Sequence, residues 1–161
     1  MTKISPLDEL DRKIIDVLAK DGRTSNRQIA AMLGVTEGTI RGRIKWLEQE
    51  NCIRFTAVTN SDSLGSPKMV LIGIQVVHGE LKALCKKIAE MPEIRSVVVM
   101  FGRYDILAIG LFASLDEVFD IANNRILALP GVRHVETSVA AETIKYDYRA
   151  AKITPKRKTS K

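Results

Sequence analysis

The chain has little of what most enzymes and secreted proteins display. Two cysteines in 161 residues, Cys52 and Cys85, give no disulfide framework and no metal-ligand spacing. They stand on opposite sides of a domain boundary argued below, so free buried thiols in a reducing compartment are expected. No apolar run reaches the ~18 residues of a membrane-spanning helix. The opening MTKISPLDELDRK is polar and lacks the apolar stretch of a signal peptide. A cytoplasmic protein with no membrane partner is expected. The two histidines, His78 and His134, fall on different predicted strands with no acidic or thiol partner in sequence, so no metal site is expected. No phosphate loop or dinucleotide signature occurs, and no serine sits in a nucleophile elbow. No cofactor and no catalytic residue are therefore assigned.

Charge is less abundant than the formal +6 suggests. Residues 1–54 carry +2 and residues 55–151 carry −1, while the last ten, KITPKRKTSK, carry +5 with no acid. Most of the excess belongs to a basic tail, 150–161, expected to be disordered. Within the first segment, residues 22–54 hold six cations against three acids. The local asymmetry points to that stretch as the one that meets a polyanion.

That stretch contains TSNRQIAAMLGVTEGTIRGRIKW, which reads as two short helices joined by a tight turn. Ser25 and Gln28 have capping-box spacing, and Gly34 follows the last apolar residue, where a left-handed residue can end a helix. Thr36 caps the second helix, whose Ile40, Ile44 and Leu47 recur at i, i+4 and i+7. The opposite face carries Gly38, Arg41, Gly42 and Lys45: two cations, no acid and two residues without side chains. A glycine in a helix interior costs about 1 kcal/mol relative to alanine, and close approach to a partner would offset that. Any amphipathic surface helix shows a charged outer face, so periodicity alone leaves DNA binding and a bland surface helix open. The candidate DNA contacts are Arg27, Thr36, Gly38, Thr39, Arg41, Gly42, Arg43 and Lys45, with Arg43 at the edge of the face. Trp46 is expected to pack on a wing or linker.

Before this stretch, Ser5-Pro6-Leu7-Asp8 reads as a helix start with Ser5 as the cap, and Leu7, Leu10, Ile14 and Leu18 share a stripe. After it, Cys52 to Val58 alternates enough to be a wing or connecting strand. Three helices and that strand make a winged helix-turn-helix domain, 1–54. Residues 55–67 form the connecting strand and a linker, whose TNSDSLGSP segment is rich in Ser, Asn, Gly and Pro.

Residues 68–149 read as strand (Met69–Val77), helix (Glu80–Met91), strand (Ile94–Phe101), turn (Gly102–Asp105), strand (Ile106–Phe112), helix (Asp116–Leu129) and strand (Val132–Tyr146). This is the ferredoxin-like βαββαβ order, and the fold class is α+β. MPEIRSV at 91–97 echoes LPGVRHV at 129–135, and Ile72-Gly73-Ile74 echoes Ile109-Gly110-Leu111, as two similar halves would. Two helices cover one sheet face, yet Met69–Val77 is apolar on both alternating faces. The uncovered face is expected to pair with a second copy, giving at least a dimer. The alternative is that the linker or the first domain covers it.

The pattern resembles the Lrp/AsnC family of leucine-responsive or feast/famine regulators over all but the last dozen residues. Matching positions are Leu7-Asp8, Asp11, Asp16, Ile29-Ala30, Leu33-Gly34-Val35-Thr36, Arg43-Ile44, Leu47-Glu48, Ile53 and Gly65. Further on they are Gly102-x-Tyr104-Asp105 and Leu129-Pro130-Gly131-Val132. Asn51 departs from the family's usual glycine. The resemblance implies a transcription regulator binding double-stranded DNA, assembling as a dimer and beyond, and answering to a small effector, an amino acid or related metabolite. It maps the effector region to Gly102, Arg103, Tyr104 and Asp105, with Ser138, Val139 and Ala140 of the last strand. In the residues themselves, Asp105 offers an acceptor for an α-ammonium, or Gly-x-Tyr-Asp is only a β-turn. Two other functions compete. One is a nucleoid-associated architectural protein with weak sequence preference. The other is a haem-precursor decarboxylase of similar plan, against which the apolar Ser96–Met100 strand speaks because it lacks a histidine.

Overall fold

The computed structural model describes residues 7–60, 63, 65 and 67–145. The described chain divides into two compact units, one ending at Ala57 and one running from Val58 to Lys145.

The first unit holds three helices, α1 (Glu9–Lys20), α2 (Asn26–Leu33) and α3 (Glu37–Gln49). Each starts on a side chain that satisfies backbone donors the helix itself leaves free. Asp8, not Ser5, caps α1: its carboxylate accepts the Asp11 N–H while the Asp11 carboxylate accepts the Asp8 N–H. Ser5 and Pro6 lie outside the described residues. Ser25 and Gln28 form the expected capping box on α2, and Gly34, at φ 69°, ends that helix. Thr36 caps α3. Asn51 ends α3 in the left-handed region, at φ 56°. The N–H groups of Asn51 and Cys52 there return to Glu48 O and Leu47 O, so asparagine serves where glycine would. Ile14, Ile29, Ala30, Ile40 and Leu47 are buried between the helices, with Leu10, Leu18, Ile44, Trp46 and Ile53 packed around them. Trp46 therefore packs on the helical core and not on a wing.

The expected strand over Cys52–Val58 is not formed, and the first unit contains no strand among its described residues. Alternation prepares one face of a strand, but a ladder needs a second extended segment, and none of the described residues here supplies it.

The second unit runs β1 (Lys68–Val76), α4 (Leu81–Ile88), β2 (Ile94–Val99), β3 (Ile106–Phe112), α5 (Leu115–Phe119) and β4 (Val132–Val139). Helix α5 continues into a π-helical stretch, Asp120–Ile126. The strands form one antiparallel sheet in the order β2-β3-β1-β4, as the ferredoxin-like pattern requires. Val70, Ile72, Ile74 and Val76 of β1 join Ile106, Ala108 and Phe112 of β3 beneath Leu84, Ile88, Val118, Ile121 and Ile126. Strand β4 ends at Val139 and not at Tyr146, which lies outside the described residues. Its neighbour β1 sets that limit, because the last bond, Ala140 N–H to Met69 O, already meets the start of β1.

On the opposite sheet face Leu71, Leu107, Ile109 and Leu111 are only half-buried, and Val98 and Met100 are exposed. Cys52 and Cys85 are free and half-buried, each in its own unit, and burial pushes both thiols up from their ordinary range.

Candidate functional site

Helix α3 turns Ile40 and Leu47 into the core, and the 3.6-residue period then carries Gly38, Arg41, Gly42 and Lys45 outward. All four are exposed, as are Thr36, Thr39 and Arg27. The Thr36 and Thr39 hydroxyls lie 2.9 Å apart, and Thr36 Oγ1 accepts the Thr39 N–H at 3.2 Å. Arg41 reaches back one turn to Glu37 at 2.6 Å. An exposed pair of this spacing holds by only about 0.3–0.5 kcal/mol, so Arg41 can leave it for a phosphate or a base edge. Lys45 has no ion-pair partner among the described residues. A methyl added at Gly42 would meet nothing within 4 Å, and at Gly38 only Thr36 Oγ1 at 3.8 Å. Neither glycine is required by internal packing.

Arg43 is placed differently. It is half-buried, and its Nη1 donates to Asp8 Oδ2 at 2.5 Å and to Asp11 Oδ1 at 3.2 Å. Asp11 is 1% exposed. The Asp11 N–H, and then the Arg43 guanidinium, hold the Asp8 carboxyl below its ordinary range, while Asp8 raises Arg43. These three side chains, with Gly38, Thr39, Gly42 and Trp46, line an open groove of about 590 Å³ between α1 and α3.

In the second unit the Gly102–Asp105 segment folds back over the outer sheet face. Gly102 has φ 147°, which disfavours a side chain. The Tyr104 ring lies directly on Gly73, where an added Cβ would stand 2.8 Å from ring carbons. Glu136 stands opposite Gly73 on β4, and its carboxylate beside the Tyr104 hydroxyl is the first cause raising the tyrosine above its ordinary pKa. Arg103 Nη2 donates to Glu136 Oε2 at 2.7 Å, with its guanidinium 5.3 Å from the Tyr104 ring centre. Gln75 Nε2 donates to Arg103 O at 2.8 Å.

Asp105 has a structural task. Strand β1 runs two residues past its last pair with β3, Ile74 with Ile106, and Asp105 Oδ2 accepts the otherwise unpaired Val76 N–H at 2.8 Å. One carboxylate oxygen expected for an α-ammonium is thus engaged. Ser138 and Val139 are exposed on edge strand β4 and Ala140 is half-buried. Alternation puts Ser138 on the face of Glu136 and Tyr104, and Val139, paired with Val70, on the helix side. Sequence reasoning missed Gly73, Gln75 and Glu136. Glu136 had a readable signal, as the one acid in Val132–Val139.

The family model described as AsnC-type helix-turn-helix domain matches residues 7–48, and the Lrp/AsnC ligand binding domain model matches residues 69–150. An uncharacterized HTH-type transcriptional regulator of Pyrococcus horikoshii is 37% identical over 144 residues, covering 89% of this chain and 97% of its own. The HTH-type transcriptional regulator FL11 of Pyrococcus abyssi is 34% identical over 140 residues, covering 86% and 92%. Among solved structures, E. coli AsnC superposes with a TM-score of 0.78 at 22% identity, covering 89% of this chain and 97% of that one. A Neisseria meningitidis transcriptional regulator in complex with L-Met superposes with a TM-score of 0.78 at 20% identity, covering 91% and 97%. At these identities the structural likeness speaks to the fold.

Proposed function

The chain belongs to the Lrp/AsnC family of DNA-binding, non-enzymatic transcriptional regulators, and on that premise we propose a sequence-specific regulator whose assembly or DNA affinity answers to a small α-amino acid. The observation that carries the DNA reading is the outer face of α3. Arg41 and Lys45 stand exposed there beside Gly38 and Gly42, at which no side chain keeps the helix backbone from a groove floor. As the second helix of a helix-turn-helix, α3 would lie in the major groove, with Arg27, Thr36 and Thr39 toward the backbone. On this reading the protein works in the cytoplasm with its DNA.

The half-buried apolar sheet face supports a face-to-face dimer through Leu71, Leu107, Ile109 and Leu111. Such a dimer is symmetric, so its preferred DNA is a pseudo-palindrome. For the effector, Arg103 and Glu136 offer the two charges a zwitterion needs: Arg103 for the carboxylate, Glu136 for the ammonium. Asp105 Oδ2 is held by the Val76 N–H and Glu136 Oε2 by Arg103; Glu136 is the carboxylate that a zwitterion frees, because the ligand's own carboxylate would draw Arg103 away from it. Gly102, Tyr104 and Ser138 border that pair, while Val139 and Ala140 contribute backbone at most. The L-Met bound to the Neisseria regulator is a ligand of this class.

Replacing Arg41 and Lys45 by alanine tests the DNA reading. Gel-shift affinity should fall at least about thirtyfold, since each good base contact contributes roughly 1–3 kcal/mol, with assembly unchanged. Unaltered binding would refute the assignment. Thermal-shift screening of the amino acids tests the effector. A ligand at a hundred times its Kd stabilises the fold by about 2.7 kcal/mol, and Glu136→Gln should remove that shift. A shift that persists in E136Q would move the site elsewhere.

A further inference from the structure

We infer that Arg43 is a positioning residue for the recognition helix and not one of its DNA contacts: shared by Asp8 and Asp11, it straps α3 to the first turn of α1. The inference rests on the reading that α3 meets DNA, and it separates two arginines two positions apart that look alike in sequence.

The carboxylates that hold Arg43 are themselves held. Asp8 Oδ1 accepts the Asp11 N–H at 2.8 Å, and Asp11 Oδ2 accepts the Asp8 N–H at 3.1 Å. The remaining oxygens, Asp8 Oδ2 and Asp11 Oδ1, face Arg43 Nη1, with Asp11 Oδ2 also within 3.3 Å. The capping box thus preorganises a two-carboxylate clamp before Arg43 arrives, and the guanidinium loses little freedom in entering it.

Leaving the clamp is costly. If Arg43 swung out to a phosphate, Asp11, 1% exposed, would remain as a buried carboxylate without its cation. Arg41 faces no such penalty, because its partner Glu37 is exposed and lies on the same helix. Two carboxylates against one guanidinium also leave this corner net negative, which repels a phosphate. Arg43, Thr39 and Trp46 line the groove that α3 forms with α1, and Gly38 and Gly42 border the same groove from the edge of the outer face. The strap therefore sets how far the Gly38–Gly42–Lys45 face stands out for the groove of DNA.

The experiment uses the full-length protein and a fluorescent duplex selected from random DNA by the parent protein. Affinity is measured over a range of salt for Asp8→Asn, Arg43→Ala and the Arg41/Lys45 double alanine variant, with thermal melting of each. Asparagine caps a helix as well as aspartate, so D8N removes the charge and keeps the helix start, and it serves even if R43A does not fold. Positioning predicts that D8N binds about threefold to fivefold more weakly at low salt, the size of one partly exposed ion pair, with the difference narrowing as salt screens that pair in the parent. That loss would come despite removing a negative charge beside a polyanion. R43A should weaken binding with its salt slope unchanged, while the double alanine variant lowers the slope. D8N binding at low salt as tightly as the parent or tighter would overturn the inference, as would R43A lowering the slope by about one. A parent that selects no duplex would remove the DNA reading and this inference with it. A double variant that loses binding while D8N does not would remove the inference alone.

Discussion

The two units close their apolar surfaces to different degrees. Three capped helices in the first unit bury Ile14, Ile29, Ile40 and Leu47 completely, and what they leave outside on α3 is charge and glycine. In the second unit the sheet is buried on one face only, and Leu71, Leu107, Ile109 and Leu111 stay half-buried on the other. A surface of exposed cations with no bulk around them suits a polyanion, which is met through phosphates and base edges. An apolar sheet face suits another apolar surface, because removing it from water is the gain available to it. The division of labour follows from which side of each unit is unfinished.

Breaking the apolar side should have the largest effect. Ile109→Asp puts a carboxylate at the middle of the outer face, beside Leu71 on β1 and Ser96 on β2. Light scattering should show the dimer replaced by monomer, with the circular dichroism of the helices unchanged. Affinity for a two-half-site duplex should then fall by a further factor of about 10²–10⁴, because the second half-site is no longer reached as an intramolecular event. A dimer that persists in I109D would mean that the interface lies on another surface. The comparison between the units would then lose its second half.

How legible each unit is in sequence follows the same division. The first unit is built from local signals, so Ser25 with Gln28, Thr36 and Gly34 could be read where they stand. The start of α1 is set by Asp8 and not by Ser5-Pro6, and its signal in the sequence is the capping-box spacing of Asp8 and Asp11, with aspartate in the third position. Arg43 was half legible: at about 100° per residue it lies only about 60° from the buried Ile40, toward a neighbouring helix and away from the outer face. In the second unit the strands were readable as apolar runs, but the site was not. Glu136 meets Arg103 across 33 positions and Asp105 meets Val76 across 29, contacts that exist only once β1, β3 and β4 are in register. Strand ends suffer likewise, since β4 stops where β1 begins. Alternation from Cys52 to Val58 describes a face and says nothing of a ladder partner.

The smallest effect concerns the charged side, and its value lies in two opposite signs. Gly42 sits in the interior of α3 with open space around it. Alanine there should stabilise the first unit by about 1 kcal/mol, the helix-propensity difference between the two residues. For a unit of this size that amounts to a rise in melting temperature of roughly 4–8 °C. If Gly42 were an ordinary surface position, DNA affinity would stay the same or improve slightly in a more rigid helix. If its bareness lets the α3 backbone approach the groove floor, a methyl there lifts the helix and lengthens its base contacts. Affinity should then fall about tenfold, a fraction of the roughly 1–3 kcal/mol each such contact supplies. Melting and anisotropy on G42A together decide between the two: a gain in stability coupled to a loss in binding marks a glycine retained for its partner. A gain in stability with binding intact would return α3 to the ordinary amphipathic surface helix that its periodicity alone describes.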